Sequence, residues 1–386
     1  MEIIYVDHAA TSPTHPDVIA EMMPYFGEVY GNPSSIHQVG RQARQALDQA
    51  RDVIAKHLHT KPQSLIFTSG GTEADNLAIL GYALAHKDKG NHIITTAIEH
   101  HAVLHTCQHL EEQGFEVTYL PVDETGSVSI NDIEQALRDE TILVTIMYGN
   151  NEVGTIQPIQ EIAELLKNHP AVFHTDAVQA YGLVPLKMDE LAVDLLSISA
   201  HKINGPKGIG LLYVRDGITL KPTLFGGEQE RKRRAGTENV AAAVGFAKAI
   251  DLTAGNLGAK EEAYVTYSCL FFDAFSRENL TFFVNGHQHK RLPHILNVSF
   301  PGVNIESLLM NLDLAGIAAS SGSACTAGAI EPSHVLVAMF GDENERVESA
   351  IRFSFGINNT IEQIERAAKE TAKIVKRLQQ NTAFIE

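Results

Sequence analysis

Short apolar runs and longer amphipathic segments alternate over much of the chain. Six runs of β-branched or apolar residues predict strands, namely LIFTS (65–69), HIITTA (92–97), EVTYLPV (116–122), LVTIMYGN (143–150), VFHTDA (172–177) and LLSIS (195–199). Between most of them apolar residues recur every three or four positions, as in QARQALDQARDVIAKHL (42–58), which is the spacing of a helix with one apolar face. This alternation indicates an α/β fold in which helices cover a largely parallel sheet.

The pattern changes after about residue 280. FFVNG (282–286), PHILNVSF (293–300) and AIRFSFG (350–356) predict strands of a smaller α+β unit, and IEQIERAAKETAKIVKRLQ (361–379) predicts the helix that closes it. We therefore expect a large domain over residues 16–256 and a small domain formed by residues 1–15 and 257–386. The sequence contains no Gly/Ser-rich linker that would mark the boundary.

Composition limits the class of protein. The chain has 386 residues, 44% of them hydrophobic, which is enough for a large core. No run approaches the ~20 apolar residues of a membrane helix, and the first residues do not resemble a signal peptide, so we expect a cytoplasmic protein without membrane contact. Its three cysteines lack CxxC spacing and fit a reducing compartment. The formal net charge of −17 argues against direct binding to nucleic acid.

The turn after the first predicted strand is rich in glycine. In a parallel sheet, ligands bind beyond the carboxyl ends of the strands. There Gly71 and Thr72 belong to SGGTEADN (69–76), whose backbone N–H groups and following helix N-terminus are suited to a phosphate. An ordinary helix start explains the segment equally well, with Thr72 as the N-cap and Asp75 as a first-turn charge. The segment fits neither GxGxxG nor GxxxxGK[ST], which disfavours a dinucleotide or ATP.

Reactive side chains follow three further strands. They are His100 and His101 after HIITTA, Asp176 and Gln179 after VFHTDA, and Ser199, His201 and Lys202 after LLSIS. Taken singly, a histidine pair more often caps a helix or faces solvent, and a lysine is usually a surface charge. Together with a phosphate-binding turn, they are the groups that pyridoxal phosphate requires. A lysine amine forms a Schiff base with its aldehyde, a carboxylate keeps its ring nitrogen protonated, and an imidazole stacks on its ring.

Eight segments resemble, in order, the signature of the NifS/IscS-type cysteine desulfurases, which are fold-type I, class-V aminotransferase-like pyridoxal-phosphate enzymes. The segments are DHAATSP (7–13), GNPSSIH (31–37), SGGTEADN (69–76), NNEVGTIQP (150–158), HTDAVQAYG (174–182), SAHKINGPKG (199–208), RAGTEN (234–239) and SSGSACTAG (320–328). The resemblance implies a large domain with a mostly parallel seven-stranded sheet and a smaller α+β domain. It also implies a transferase that removes sulfur from L-cysteine, giving L-alanine and an enzyme persulfide.

The resemblance implies a role for each site residue. Lys202 would be the Schiff-base lysine, Cys325 the sulfur acceptor, and His100 the group that stacks on the ring and moves protons. The other cofactor-binding residues would be Asp176 on the ring nitrogen, Gln179 on the ring hydroxyl, and Gly71, Thr72, Ser199, His201 and Thr237 on the phosphate. Asn151 and Arg352 would orient the substrate, the arginine by a two-point grip on its carboxylate.

Cys325 lies among small residues, which suits a mobile loop over about residues 320–332 that collects sulfur at the cofactor and delivers it elsewhere. The other thiols, Cys107 and Cys269, lie in helical patterns and are predicted to be buried or partly buried. The basic RKRR run (231–234) is interpreted as a loop beside the phosphate site rather than a nucleic-acid motif.

The resemblance also implies partners. Thr237 would reach the phosphate of the other subunit, which requires a homodimer, and the sulfur would pass to an acceptor protein. That acceptor is either the iron–sulfur cluster scaffold or a tRNA thiolation enzyme. Relatives that serve the scaffold carry a longer tail than QQNTAFIE (379–386), so the second is at least as well supported. No metal site is expected apart from a transient iron–sulfur contact through Cys325. The alternatives are a selenocysteine lyase, an aminotransferase or other fold-type I enzyme, and a non-catalytic binding protein.

Overall fold

The computed structural model describes residues 2–255, 257–321, 325–326 and 329–382. Its helices are α1 (Pro16–Met22), α2 (Pro24–Gly27), α3 (Gln38–His57), α4 (Gly71–Ala85), α5 (His101–Glu112), α6 (Ile130–Ala136), α7 (Ile159–Leu166), α8 (Gln229–Lys232), α9 (Val240–Ala254), α10 (Leu257–Arg277), α11 (Ile305–Leu314), α12 (His334–Phe340), α13 (Glu345–Glu348) and α14 (Ile361–Thr382). Its strands are β1 (Ile4–Tyr5), β2 (Leu65–Thr68), β3 (His92–Thr96), β4 (Glu116–Leu120), β5 (Thr141–Thr145), β6 (Val172–Asp176), β7 (Leu195–Ser199), β8 (Gly210–Val214), β9 (Phe283–Asn285), β10 (Ile295–Ser299), β11 (Ile317–Ala318), β12 (Cys325–Thr326), β13 (Ala329–Ile330) and β14 (Ala350–Ser354). Short 3₁₀ turns cover Pro62–Ser64 and Ala200–Lys202.

A seven-stranded sheet in the order β2-β8-β7-β6-β5-β3-β4 forms the largest layer. Strands β7, β6, β5, β3 and β4 pair in parallel, whereas β8 is antiparallel to both β2 and β7. Apolar residues of α3, α7 and α9 bury one face of this sheet, and those of α4 and α5 bury the other. This is the mostly parallel, seven-stranded α/β architecture that the sequence analysis expected.

A second core lies around the antiparallel sheet β14-β10-β9. Aromatic residues of α10 and β14, such as Phe271 and Phe353, pack there with α11 and α14. The N-terminal Ile4 and Val6 belong to this core, and β1 pairs in parallel with β11. The assignment of residues 1–15 to the small domain, and the bounds 16–256 and 257–386, stay predictions.

Three details of the sequence analysis were wrong. Strand β8 is absent from the six strands that the sequence predicted for this sheet. Thr72 is not an N-cap, because α4 begins at Gly71 and is capped by Gly70 without a side-chain bond. Asp75 is not a first-turn charge, because the acidic residue of the first turn is Glu73. Cys269 is exposed on α10, whereas the burial of Cys107 is confirmed.

Among the described residues no single helix is long and apolar enough to cross a membrane. The bent pair α9 and α10 passes that test by length and composition together.

Candidate active site

The N-terminal segment crosses the carboxyl edge of the large sheet and holds Lys202. This lysine ends the 3₁₀ turn that follows β7, and its Nζ donates to the carbonyl oxygens of Ala9 and, at 2.9 Å, of Ala10. Ser12 Oγ donates to the carbonyl of His201 at 2.6 Å. The lysine amine is therefore held at the sheet edge by backbone acceptors that carry no charge.

Burial and, after it, the nearby positive charge of Arg352 lower the pKa of the Lys202 amine to about 8. The negative charges of Asp176 and Asp7 act in the opposite direction without cancelling these effects. An amine with a pKa near 8 is partly neutral at physiological pH and can act as a nucleophile.

Asp176 ends β6 and is buried. Burial raises the pKa of this carboxyl to about 6, against the opposing effects of the Val178 N–H, which donates to Oδ1 at 2.8 Å, and of the Lys202 charge. Three residues later, Gln179 donates from Nε2 to the Ala9 carbonyl at 2.9 Å. Both side chains are thus fixed at the strand end beside Lys202.

The N-terminus of α4 and the end of β7 form a narrow cup. A Cβ atom on Gly71 would lie 2.7 Å from Cγ2 of Val178, so this position accepts glycine without a shift of its neighbours. Ser199 is buried opposite, and His201 Nδ1 lies 3.1 Å from Thr11 Oγ1. Free N–H groups at a helix start with hydroxyls around them suit a phosphate.

His100 is the N-cap of a helix and also faces the cavity, while its expected contact with a cofactor ring stays a prediction. It is the N-cap of α5, where Nδ1 accepts the Ala102 N–H at 3.1 Å, and its ring also lines the cavity. Desolvation and then the charge of Lys202 lower the pKa of this imidazole to about 4. The ring is therefore neutral near pH 7, and because Nδ1 is an acceptor its proton lies on Nε2.

Arg352 on β14 forms the wall on the small-domain side. Its Nη2 lies 2.9 Å from Asp7 Oδ1, and its Nη1 donates to the Asn151 carbonyl at 2.8 Å. Arg352 as a whole residue is 4% exposed, and it lines the same cavity as Asn151. The expected two-point grip of Arg352 on a substrate carboxylate stays a prediction. To make it, the guanidinium must share or exchange its bonds with Asp7 and the Asn151 carbonyl.

These elements enclose a cavity of about 390 Å³. The predicted residues that line it are Gly71, Thr72, His100, Asn151, Asp176, Gln179, Ser199, His201, Lys202 and Arg352. Thr237 lies elsewhere, exposed on the chain surface. The side chain of Cys325 and residues 322–324 and 327–328 lie outside the described residues, so the predicted role of Cys325 is not tested.

Sequence reasoning missed several residues at the cavity. Asp75, Glu152, Ser320 and His334 line it, as do the backbones of Ala9 and Ala10. Glu152 accepts from Ser333 Oγ at 2.5 Å, so both residues that flank the cysteine loop, Ser320 and Ser333, are anchored at the cavity wall. The DHAATSP motif (7–13) could have pointed to Ala9 and Ala10. The spacing of apolar residues gave no signal for Asp75, Glu152, Ser320 or His334.

The cavity fits pyridoxal phosphate on its own chemistry. It combines a partly neutral lysine amine, a buried strand-end carboxyl, a flat neutral imidazole and a cup of backbone N–H groups that a larger residue at Gly71 would fill. These are the four contacts that hold the aldehyde, ring nitrogen, ring face and phosphate of that cofactor.

Comparisons with known proteins show the family to which the chain belongs. The model of the class-V aminotransferase family matches residues 4–367, so the chain belongs to that family, whose cofactor is pyridoxal phosphate. The chain is 59% identical over 378 residues to the putative cysteine desulfurase IscS 1 of Bacillus subtilis strain 168, a match that covers 98% of this chain and 100% of the relative. Within the family the chain therefore belongs to the cysteine desulfurases, and the predictions of enzyme class, fold and cofactor are confirmed.

Solved structures give the same result. A NifS-like protein superposes with a TM-score of 0.89 at 35% identity, covering 99% of this chain and 100% of that one. A structure described as SspA in complex with cysteine superposes with a TM-score of 0.80 at 36% identity, covering 91% of this chain and 98% of that one.

Proposed function

We propose that the cavity performs the desulfurase reaction on L-cysteine, with Lys202 as the cofactor lysine and Cys325 as the sulfur acceptor. The observation that carries the proposal is the position of the Lys202 amine, which has a pKa of about 8 and shares one cavity with Asp176 and His100. The likeness to a structure in complex with cysteine supports the substrate. In the overall reaction the C–S bond of L-cysteine breaks and an S–S bond forms on Cys325, leaving L-alanine.

The cofactor, when bound, supplies an aldehyde that condenses with amines and a ring that accepts electrons from a carbanion. Asp176 would hold a proton on the ring nitrogen, and Gln179 would bond the ring hydroxyl. Gly71, Thr72, Ser199 and His201 would hold the phosphate. Each of these groups lines the cavity and is fixed by the sheet edge on which it lies.

His100 and Lys202 would divide the proton transfers. His100 is neutral and has its proton on Nε2, because Nδ1 accepts the Ala102 N–H. Lys202 is close to half-protonated near pH 8 and is able both to take and to return a proton. Arg352 and Asn151 would hold the substrate carboxylate at the opposite wall.

A homodimer would complete the site. Thr237 is exposed and does not line the cavity of its own chain, as expected for a residue that contacts the phosphate of a partner. Large apolar side chains are also uncovered, including Phe225 at 89% exposure and, on α2, Phe26 at 64%. A two-fold partner would bury such a surface.

The persulfide would then pass to an acceptor protein in the cytoplasm, either the iron–sulfur scaffold or a tRNA thiolation enzyme. The loop that carries Cys325 starts and ends at anchored positions, since Ser320 pairs with the Arg352 backbone and Ser333 with Glu152. This arrangement supports a loop that reaches outward while its two ends stay at the cavity.

Mass spectrometry tests the assignment of Cys325. After incubation with L-cysteine, the peptide that carries Cys325 gains one sulfur atom, and Cys325→Ser abolishes this gain while the visible absorbance of bound cofactor remains. The exposed Cys269 is the matched control, because it is the thiol most open to non-specific sulfur transfer. Extra sulfur on Cys269 and none on Cys325 would refute the proposal.

A further inference from the structure

A second buried acid lies beside the carboxyl that faces the cofactor nitrogen. Asp75, in the second turn of α4, is 1% exposed and lines the active-site cavity. Its Oδ1 has no hydrogen-bond partner among the described residues, although Ser197 bonds to the carboxyl group. A buried carboxylate oxygen without a donor carries a large desolvation cost, so its state of charge requires an explanation.

The sheet register brings Asp75 close to Asp176. Asp176 on β6 is the cross-strand partner of Ser197 on β7, and side chains of paired residues in parallel strands project from the same face. Ser197 bonds to Asp75 and lies 3.1 Å from Nε2 of His174. The same Nε2 lies 3.7 Å from Asp75 Oδ1. These four side chains therefore form one buried cluster beneath α4.

Positive charge is available to only one of the two acids. Burial lowers the pKa of His174 to about 3, and its Nδ1 is bonded to Thr145 Oγ1 at 2.8 Å, so this imidazole is neutral and does not balance Asp75. The charge of Lys202 acts on Asp176. Burial and then the charge of Asp176 raise the pKa of Asp75, and the third acid, Glu99, adds to this effect.

We propose that Asp75 is a positioning residue for Asp176, and that the two carboxyl groups hold a single proton, which stays on Asp75 while Asp176 carries the charge. This inference rests on the proposed role of Asp176. Two ionised carboxyls so close together would repel each other, and a proton on Asp176 would leave no anion for the ring nitrogen. A proton on Asp75 removes the repulsion and leaves Asp176 as the anion. Asp75 is the acid that takes the proton, because it has no cation beside it.

The test compares the full-length wild type with two variants of Asp75 and one of Asp176. Asp75→Asn imitates the protonated acid in shape and charge, and we expect its affinity for pyridoxal phosphate to stay within about twofold of the wild type. Asp75→Ala removes the hydrogen bonds, and we expect affinity to fall roughly tenfold. Asp176→Asn, which removes the charged partner, should weaken binding more than either. Absorbance titration of the apoprotein with the cofactor gives all four constants.

Infrared difference spectroscopy gives a readout that a purely structural role would not change. The wild type should show the C=O band of a protonated carboxyl at neutral pH, and Asp75→Asn should remove that component. Glu99→Gln is the control, because burial raises the pKa of Glu99 to about 8 and it contributes its own band. The wild-type band requires no variant and remains informative even if a variant fails to fold.

Two results would overturn the inference. One is an Asp75→Asn variant that loses as much cofactor affinity as Asp176→Asn, which would mean that Asp75 acts as an anion. The other is the absence from the wild type of any protonated-carboxyl band beyond that of Glu99. If Asp176→Asn binds the cofactor normally, the proposed role of Asp176 fails instead, whatever the infrared spectrum of Asp75 shows.

Discussion

The Lys202 amine shows how backbone structure sets the chemistry of one residue. Its ammonium form is held by the carbonyls of Ala9 and Ala10, yet burial and Arg352 still lower its pKa to about 8. Carbonyl oxygens stabilise the charge less than a carboxylate would, so the amine remains able to lose its proton.

The rate at which the apoprotein takes up pyridoxal phosphate should therefore depend on pH. The neutral amine is the nucleophile, so the rate should rise with pH and reach half of its maximum near pH 8. Stopped-flow absorbance of the lysine-bound cofactor measures it directly. Lys202→Ala should show none of this absorbance at any pH.

Lys207 provides the matched control, because it lies in the same loop but is exposed. Lys207→Ala should keep both the absorbance and its pH dependence. A rate that is constant from about pH 7 to about pH 9 would contradict the assigned pKa of Lys202.

Among individual residues of the site, those at strand ends could be predicted from the sequence, whereas those on helix faces could not. Asp176 and Lys202 were predictable because a strand of a parallel sheet ends at the ligand edge. Asp75 was not, because its burial depends on how α4 is rotated against β6 and β7, which the spacing of apolar residues in α4 does not fix. Cys269 failed for the same reason, since α10 turns that position towards solvent.

The segment around α8 holds three consecutive residues in a costly backbone conformation. Glu230, Arg231 and Lys232 all have positive φ, at 43°, 58° and 67°, which side chains other than glycine rarely adopt. The Glu230 carboxylate compensates for this cost. It pairs with Arg51 through two bonds of 2.6 and 2.9 Å and accepts the Phe67 N–H at 3.2 Å.

A second ion pair joins this segment to the start of α4. Arg234 contacts Glu73 at 2.7 and 3.1 Å, and Glu73 accepts the N–H of Ser69, two residues before Gly71, at 2.7 Å. The chain that leads to Thr237 is thus attached both to the strand and to the helix that form the cup. Arg234, the last residue of the RKRR run, makes this attachment, and the position of the run beside a phosphate site stays a prediction.

Glu230→Gln should destabilise the folded chain by about 2–4 kcal/mol, because it leaves the buried Arg51 without its anion. Urea unfolding monitored by circular dichroism measures the change. The control is Glu228→Gln, which breaks the solvent-exposed pair with Lys232 and should cost at most about 1 kcal/mol. Equal effects of the two substitutions would show that the buried pair does not support the segment.

Secondary-structure elements were easiest to predict where the residue pattern of the segment itself determines them. The strands β2 to β7 and the helices α3, α4 and α14 follow from periodicity within each segment. The run GLLYV of β8 is as apolar as that of β7. Its antiparallel direction and its place between β2 and β7, which are distant in sequence, depend on tertiary pairing and do not follow from that run.

At the scale of the whole molecule, the alternation of strands and helices predicted the fold class, and the eight ordered motifs predicted the family. The assembly of the chain could not be predicted in the same way, because exposed apolar residues such as Phe26 and Phe225 look like core residues in the sequence. A chain by itself does not distinguish an apolar residue that packs inside from one that packs against a second copy.

Mixed dimers test the shared site. Thr237→Asp places a negative charge where the phosphate of the partner subunit is expected, and Lys202→Ala removes the cofactor lysine, so each variant alone should be inactive. In a mixed dimer, one site receives its lysine from the Thr237→Asp chain and its threonine from the Lys202→Ala chain, and is intact. Random pairing should therefore restore roughly a quarter of the wild-type activity. The control is Thr266→Asp, which adds the same charge on the exposed face of α10 and should leave activity unchanged. No recovery after subunit exchange, with sedimentation showing that mixed dimers formed, would mean that Thr237 does not act on the partner's site.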